Sequence, residues 1–201
     1  MSHLILASTS RYRRELLERL GIEFEARAPD VDETRLPGED ASGLATRLAD
    51  AKAERVAGRC GSADVVVIGA DQVAELDGEL LRKPGDQPTA LRQLMACQGR
   101  TVVFHTAVTV IAPALGERRQ GLDQTSVRFS RLSESQLRFY LQTERPYDCA
   151  GGFRAEGLGI TLFEGIESQD PTALLGLPLI WLTGVLRELR LDPLDSTETR
   201  R

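Results

Sequence analysis

The sequence predicts an α/β fold built on a mixed sheet. Three observations carry this. Apolar, β-branched runs at residues 4–7 and 65–70 alternate along the chain with segments whose apolar residues recur at helical spacing. The run Val65-Val66-Val67-Ile68 is apolar at every position, as a central strand covered on both faces requires. Two strand-like stretches, 101–111 and 124–129, follow one another across a polar connection near Gly116, which adds a long hairpin to the alternation.

The elements follow in order. Residues 4–7 form the first strand. Ser8, Thr9 and Ser10 come next, each able to cap a helix, and Tyr12, Leu16 and Leu20 recur at helical spacing. Gly21 stands where that helix stops. Residues 24–27 read as a second strand and 29–37 as an acidic loop. Residues 41–56 predict a helix with Leu44, Leu48, Ala51 and Val56 as its apolar stripe. The central strand ends at Asp71, and Asp77-Gly78 predicts a hairpin turn. A helix covers 87–97. Ser133 caps another, to about Gln142, with Glu134 and Gln136 in its first turn. The Gly-rich stretch 151–159 reads as a loop feeding a strand at 160–164, and 178–189 is the last helix. Residues 1–191 are expected to form a single domain, with 192–201 a polar, frayed tail.

Bulk properties narrow the function. With 201 residues, 41% hydrophobic and 27% charged, the chain has the composition of an ordinary globular protein. Its formal net charge of -5 argues against a partner that is a nucleic-acid polymer. It leaves room for a small phosphorylated ligand, which needs only a few local cations. Cys60, Cys97 and Cys149 are odd in number and widely spaced, and His3 and His105 lie far apart. A disulfide framework and a zinc site are therefore not expected. No signal peptide is visible. The apolar stretch 174–186 contains Pro178 and falls short of the roughly 20 residues a bilayer demands. The expectation is a cytoplasmic protein with no membrane partner.

Four features can carry chemistry. Ser8, Ser10 and Arg13 lie where a strand runs into a helix N-terminus, a place that favours anions; the same residues also suit an ordinary Ser cap followed by surface arginines. Asp71 lies at the carboxyl end of the central strand, where α/β sheets bind ligands and a carboxylate can activate water or hold a metal; it also reads as the start of a loop. Lys52 and Lys83 can neutralise phosphate or stand as solvated lysines. Glu33, in the acidic loop, suits Mg²⁺ or plain solvent exposure.

Taken together and in order, these blocks resemble the Maf family of nucleotide pyrophosphatases. The likeness rests on Ser8-Thr9-Ser10 with Arg13-Arg14, Asp32-Glu33, Lys52, Gly69-Ala70-Asp71-Gln72, Lys83-Pro84, Gly99-Arg100-Thr101, Ala150-Gly151 and Gly176-Leu177-Pro178. It implies a Maf/ITPase-like fold, a strongly twisted mixed sheet flanked by helices, in two lobes around a central cleft. It implies hydrolysis of a nucleoside triphosphate to the monophosphate and diphosphate with a divalent metal, Mg²⁺ or Mn²⁺. Asp71, Lys52 and Lys83 would be catalytic, Asp71 and Glu33 would hold the metal, and Ser8, Ser10 and Arg13 would grip the phosphates.

Within that family, Tyr12, Gln72 and Glu156 resemble the residues of the subfamily acting on 7-methyl-GTP, which carries an aromatic residue, Gln and Glu at those places. Methylation at N7 makes guanine cationic, so Tyr12 can stack on it and Glu156 can accept from its N1–H and amino group. Arg11 and Tyr12 depart from the Pro and Trp usual there, and Tyr is the weaker partner for a cation. Tyr12 also shares a helical face with Leu16 and Leu20 and suits the core. The alternatives are a pyrophosphatase for dTTP, UTP or other modified nucleotides, and a non-catalytic nucleotide-sensing regulator of cell division. The long hairpin strands offer an edge for a homodimer, a state common in the family.

Overall fold

The computed structural model describes residues 3–61 and 64–195. Seven strands form one mixed sheet in the order β2-β1-β3-β5-β6-β7, with β4 beside the far half of β3. The first half is βα-alternating. β1 (His3–Ala7) leads into α1 (Arg11–Glu18), β2 (Phe24–Ala26), α2 (Ala41–Ala57) and β3 (Val65–Leu76). β1 pairs in parallel with both β2 and β3. The second half is antiparallel: β4 (Glu79–Leu81), β5 (Thr101–Ala112), β6 (Glu117–Phe129) and β7 (Phe163–Glu167), with α3 (Gln87–Cys97), α4 (Glu134–Glu144) and the closing helix α5 (Leu179–Glu188).

Local chemistry explains the boundaries. Asp40 and Asp86 cap α2 and α3, accepting the N–H of Gly43 at 2.6 Å and of Thr89 at 2.8 Å. Ser133 and Gln136 close a reciprocal capping box on α4. Asp77 and Gly78 both have positive φ, 49° and 86°, as a two-residue turn between twisted strands demands.

Three expectations need correction. β3 does not end at Asp71 but runs on to Leu76, because Asp71 is paired by Lys52 of α2 and Gln72 by Thr106 of β5. The connection near Gly116 is a tight 3-10 turn, and residues 117–123 are strand. Their polar side chains are tied down: Arg118 reaches Asp50 and Glu54 on α2, and Gln120 donates to Asp50. Residues 158–162 form a 3-10 turn, so β7 starts at Phe163. Of the tail, residues 192–195 are held by Asp192, which accepts from Arg187 and Leu194; residues 196–201 lie outside the described residues.

Alternate residues of β3 show how the cleft arises. Val66, Ile68 and Ala70 join the core under α1 and α5, whereas Ala74 and Leu76 join a second core under α3 and α4. β5 repeats the division, with Val108 and Val110 in the first core and Val102 and Phe104 in the second. Between them, on the same face, stand the polar register partners Gln72 and Thr106. The two lobes part there. On the opposite face α2 lies so close that a Cβ on Gly69 would sit 2.2 Å from the Ala49 carbonyl oxygen. Cys60, Cys97 and Cys149 are all free thiols. Among the described residues no helix is long and apolar enough to cross a membrane.

Candidate active site

The cleft meets a notch in the sheet. β1 stops pairing with β3 at Ala7 opposite Gly69, and β4 takes up the same edge only at Ala74. The chain leaving β1 turns here. Ser8 is buried and its Oγ accepts the Ser10 N–H at 3.1 Å. Ser10, in extended backbone, caps α1 by accepting the Arg13 N–H at 3.5 Å. Both hydroxyls keep their own proton for a further acceptor. A cavity of about 450 Å³ opens at this point. Ser8, Ser10, Arg13, Glu33, Lys52 and Lys83 line it, as do Tyr12, Gln72 and Glu156.

Asp71 is the exception among the expected residues. It is buried behind Lys52, on the α2 face of the sheet, and is absent from the cavity wall. Lys52 extends from α2, and its Nζ lies 2.6 Å from Asp71 Oδ1 and 2.6 Å from Glu33 Oε1. One buried ammonium thus bridges an inner and an outer carboxylate. Burial pushes the Glu33 carboxyl up, but hydrogen bonding and charge from Lys52, with Lys83 and Arg13 beyond, leave it below its usual value. Burial lowers the Arg13 guanidinium, against the pull of Asp71 and Glu33, and its Nε donates to the Gly176 carbonyl at 2.9 Å. Lys83 is exposed.

The two carboxylates test the fit of a metal. Among the described residues no three His, Cys, Asp or Glu side chains gather into a cation site. Mg²⁺ asks less, commonly one or two carboxylates completed by substrate phosphates and water. Asp71 and Glu33, drawn together across one ammonium, fit that requirement.

Glu33 is placed by its loop. Arg47 on α2 grips Glu39 with Nε at 2.6 Å and Nη2 at 2.9 Å, and its Nη2 also donates to the Thr34 carbonyl at 3.0 Å. The Arg47 hydrogen bonds hold the Glu39 carboxyl at about 2, down from 4.5. A depressed carboxyl stabilises the fold above its unfolded value and loses that contribution as pH falls through the folded one. Glu39→Gln is therefore expected to lower the urea midpoint at neutral pH, with the gap to wild type closing between about 4.5 and about 2. Urea titrations at neutral pH and near pH 3 check this; a gap that stays constant contradicts it.

The surroundings of Tyr12 are built differently. Tyr12 is half-buried and faces the cavity rather than the core. Burial raises its phenol to about 12, so it stays protonated; it accepts from Arg11 Nη2 at 2.7 Å and from the Cys149 thiol at 3.5 Å. Gln72 has its amide N–H groups committed. Nε2 lies 3.0 Å from Thr106 Oγ1 and from the Ala173 and Leu174 carbonyls. Glu156 is exposed, with Oε1 3.8 Å from Arg154 Nε.

Of the segment that both Arg13 and Gln72 grasp, sequence reasoning found only Gly176-Leu177-Pro178. Asp170 is buried and accepts from the N–H of Thr172 at 2.9 Å and of Ile180 at 2.6 Å. Asp123, also buried, accepts the Asp170 N–H at 3.2 Å. This closes 170–180 into a turn that presents the Ala173, Leu174 and Gly176 carbonyls to the site. The signal was present in Asp170-Pro171-Thr172, a capping sequence ahead of the last helix. Arg154 lies in the segment Phe153-Arg154-Ala155-Glu156-Gly157, which resembles the subfamily acting on 7-methyl-GTP, but its own role was not legible there.

Comparison with known proteins bears on this arrangement. The family model described as Maf-like protein matches residues 3–189. The chain belongs to the Maf family. Among Maf-like relatives, a protein of Xanthomonas oryzae pv. oryzae (strain MAFF 311018) named 7-methyl-GTP pyrophosphatase is 54% identical over 189 residues, covering 94% of this chain and 97% of its own. A protein of the same name from Cupriavidus metallidurans is 52% identical over 184 residues, 92% of each chain. A solved nucleoside-triphosphatase / dITP/XTP pyrophosphatase from Mycobacterium abscessus is a remoter likeness, at 15% identity and TM-score 0.41 over 94% of this chain and 96% of that one.

Proposed function

We propose that this Maf protein hydrolyses 7-methyl-GTP to 7-methyl-GMP and diphosphate. The observation that carries the reading is one cavity lined by two chemically distinct sets of residues. Ser8, Ser10, Arg13, Lys52 and Lys83 offer hydroxyl donors and cations, and Tyr12 and Glu156 offer a ring and a carboxylate. A cationic purine carrying a triphosphate complements both. Relatives 52% and 54% identical that bear the corresponding name support the substrate.

In this mechanism the serine hydroxyls donate to phosphate oxygens and Arg13 and Lys83 balance their charge. Lys52 is the movable element. Drawn toward the phosphates, its ammonium releases Asp71, which orients a water against the α-phosphorus and takes its proton. The water oxygen bonds to that phosphorus as the bridging P–O bond breaks, and diphosphate departs. Asp71 and Glu33 would hold a divalent cation, Mg²⁺ or Mn²⁺, whose chemistry is to neutralise phosphate charge. Positioning and charge balance are most of what phosphoryl transfer asks of a protein. Three free thiols fit a reducing compartment such as the cytoplasm, and the part of β6 that β7 leaves unpaired is the edge a homodimer would use.

The test is diphosphate release from 7-methyl-GTP, GTP, dTTP and UTP with Mg²⁺ or Mn²⁺. The expected result is that 7-methyl-GTP ranks first and that Asp71→Asn lowers its turnover about 10²- to 10⁴-fold. dTTP or UTP ranking first refutes the substrate. No turnover of any nucleotide favours a sensing regulator. Near wild-type turnover by Asp71→Asn removes Asp71 from the chemistry.

A further inference from the structure

The Tyr12 ring already faces a cation. The Arg154 guanidinium carbon lies 5.6 Å from the centroid of the Tyr12 ring, within cation–π range. Its grip there is poor. Nη1 is 3.5 Å from Glu144 Oε2 and Nε is 3.8 Å from Glu156 Oε1, and Nε is buried without a hydrogen-bond partner. A buried donor left unpaired is costly, so this seat is one the side chain leaves when a better partner is offered.

The backbone beneath is fixed. The Arg154 N–H donates to the Tyr140 hydroxyl at 3.0 Å, and Gly159 packs so closely that a Cβ there would stand 2.2 Å from the Arg154 carbonyl oxygen. Only the side chain is free to move. Arg11 differs: its guanidinium is 4.7 Å from the same centroid but is anchored to the Tyr12 hydroxyl at 2.7 Å.

We propose that Arg154 is a specificity-determining residue: in the free protein its guanidinium stands over the Tyr12 ring that a cationic base would use, and it must swing away from the ring before such a base can stack. This rests on the proposed reading of Tyr12 and Glu156. Arg11 and Arg154 already share the ring, so a cationic base that stacks there meets like charge, and Arg154, the less firmly held of the two, is the one that gives way. A neutral base has no such conflict, because bases stack on guanidinium planes as well as on aromatic rings. While seated, Arg154 also neutralises Glu156. It therefore holds down the preference of the pocket for cations, and its departure turns Glu156 toward the base.

The experiment is equilibrium binding of 7-methyl-GMP and GMP by calorimetry in mildly acidic buffer, with wild type, Arg154→Gln and Arg154→Lys. Arg154→Gln is expected to raise the ratio of 7-methyl-GMP to GMP affinity about two- to fivefold, the scale of one cation–π contact. Arg154→Lys, which restores the competing charge, is expected to return the wild-type ratio. In turnover, Arg154→Gln is expected to lower KM for 7-methyl-GTP relative to GTP, and Arg154→Lys to restore the wild-type relation. An unchanged or reduced ratio overturns the proposal, as does Arg154→Lys behaving like Arg154→Gln, or failure of both nucleotides to bind. Should wild type release no diphosphate from 7-methyl-GTP, the reaction assignment fails, while the binding ratio still decides the role of Arg154.

Discussion

Lys52→Met is expected to cost about 3–5 kcal/mol of folding stability, the scale of breaking a buried ion pair, and to abolish diphosphate release. Side chains of Lys52 and Asp71 are 7% and 11% exposed, so solvent screens their contact little. Removing the ammonium strands the Asp71 carboxylate between α2 and the sheet. Glu33, 56% exposed, recovers its hydration and adds little to the loss. The double variant Lys52→Met/Asp71→Leu separates stability from chemistry. Apolar residues of similar volume often replace a buried pair at no net cost, so most of the lost stability is expected to return while activity does not. Urea unfolding of wild type, single and double variants, beside diphosphate release, provides the check. A double variant as unstable as the single one would sink the ion-pair account.

Gly69→Ala is expected to cost ~3 kcal/mol or more, at the upper end for an overpacked site. The added carbon would lie 2.2 Å from the Ala49 carbonyl oxygen, 2.6 Å from the Ala53 nitrogen and 2.9 Å from the Ala53 Cβ. The two closest atoms are helix backbone, so no rotamer change relieves the contact; α2 must lift from the sheet. Lys52 travels with the helix, and its 2.6 Å contact with Asp71 cannot survive a lift of that size. Turnover should fall with stability, and Ala53→Gly added to Gly69→Ala should relieve only the smaller part of the clash. Thermal unfolding of both variants measures this. A shift of the melting point by less than about 2 °C for Gly69→Ala contradicts such close packing.

Much of the fold was legible because local signals agreed with one another. The strand at β1, the Ser10 cap, Gly21 with φ +67°, the Asp77-Gly78 turn and the bounds of α3 all follow from residues within a few positions. Errors arose where a polar residue is satisfied from afar. Asp71 looks like a strand end because nothing nearby pairs it; its partner stands on α2. Arg118 and Gln120 look like loop residues because Asp50 and Glu54, which hold them, lie far back in the chain. The site shows the same division. The residue types around the serine turn could be named from spacing and resemblance, but the bridge Glu33–Lys52–Asp71 joins three separate segments, and no spacing reveals it. The grip of Gln72 on the Ala173 and Leu174 carbonyls was equally hidden, since main-chain acceptors have no signature in sequence.

The notch beside Gly69 also orders how the molecule is assembled. β5 and β6 meet across a tight turn, Ala112 opposite Glu117, and can zip from that point. β1 and β3 are separated along the chain by α1, β2 and α2, with His3 and Val65 roughly sixty residues apart, and such pairings carry a higher loop-closure cost and form slowly. The serine turn hangs from that late contact. The cavity wall at Ser8 and Ser10 is therefore complete only once β1 has docked against β3.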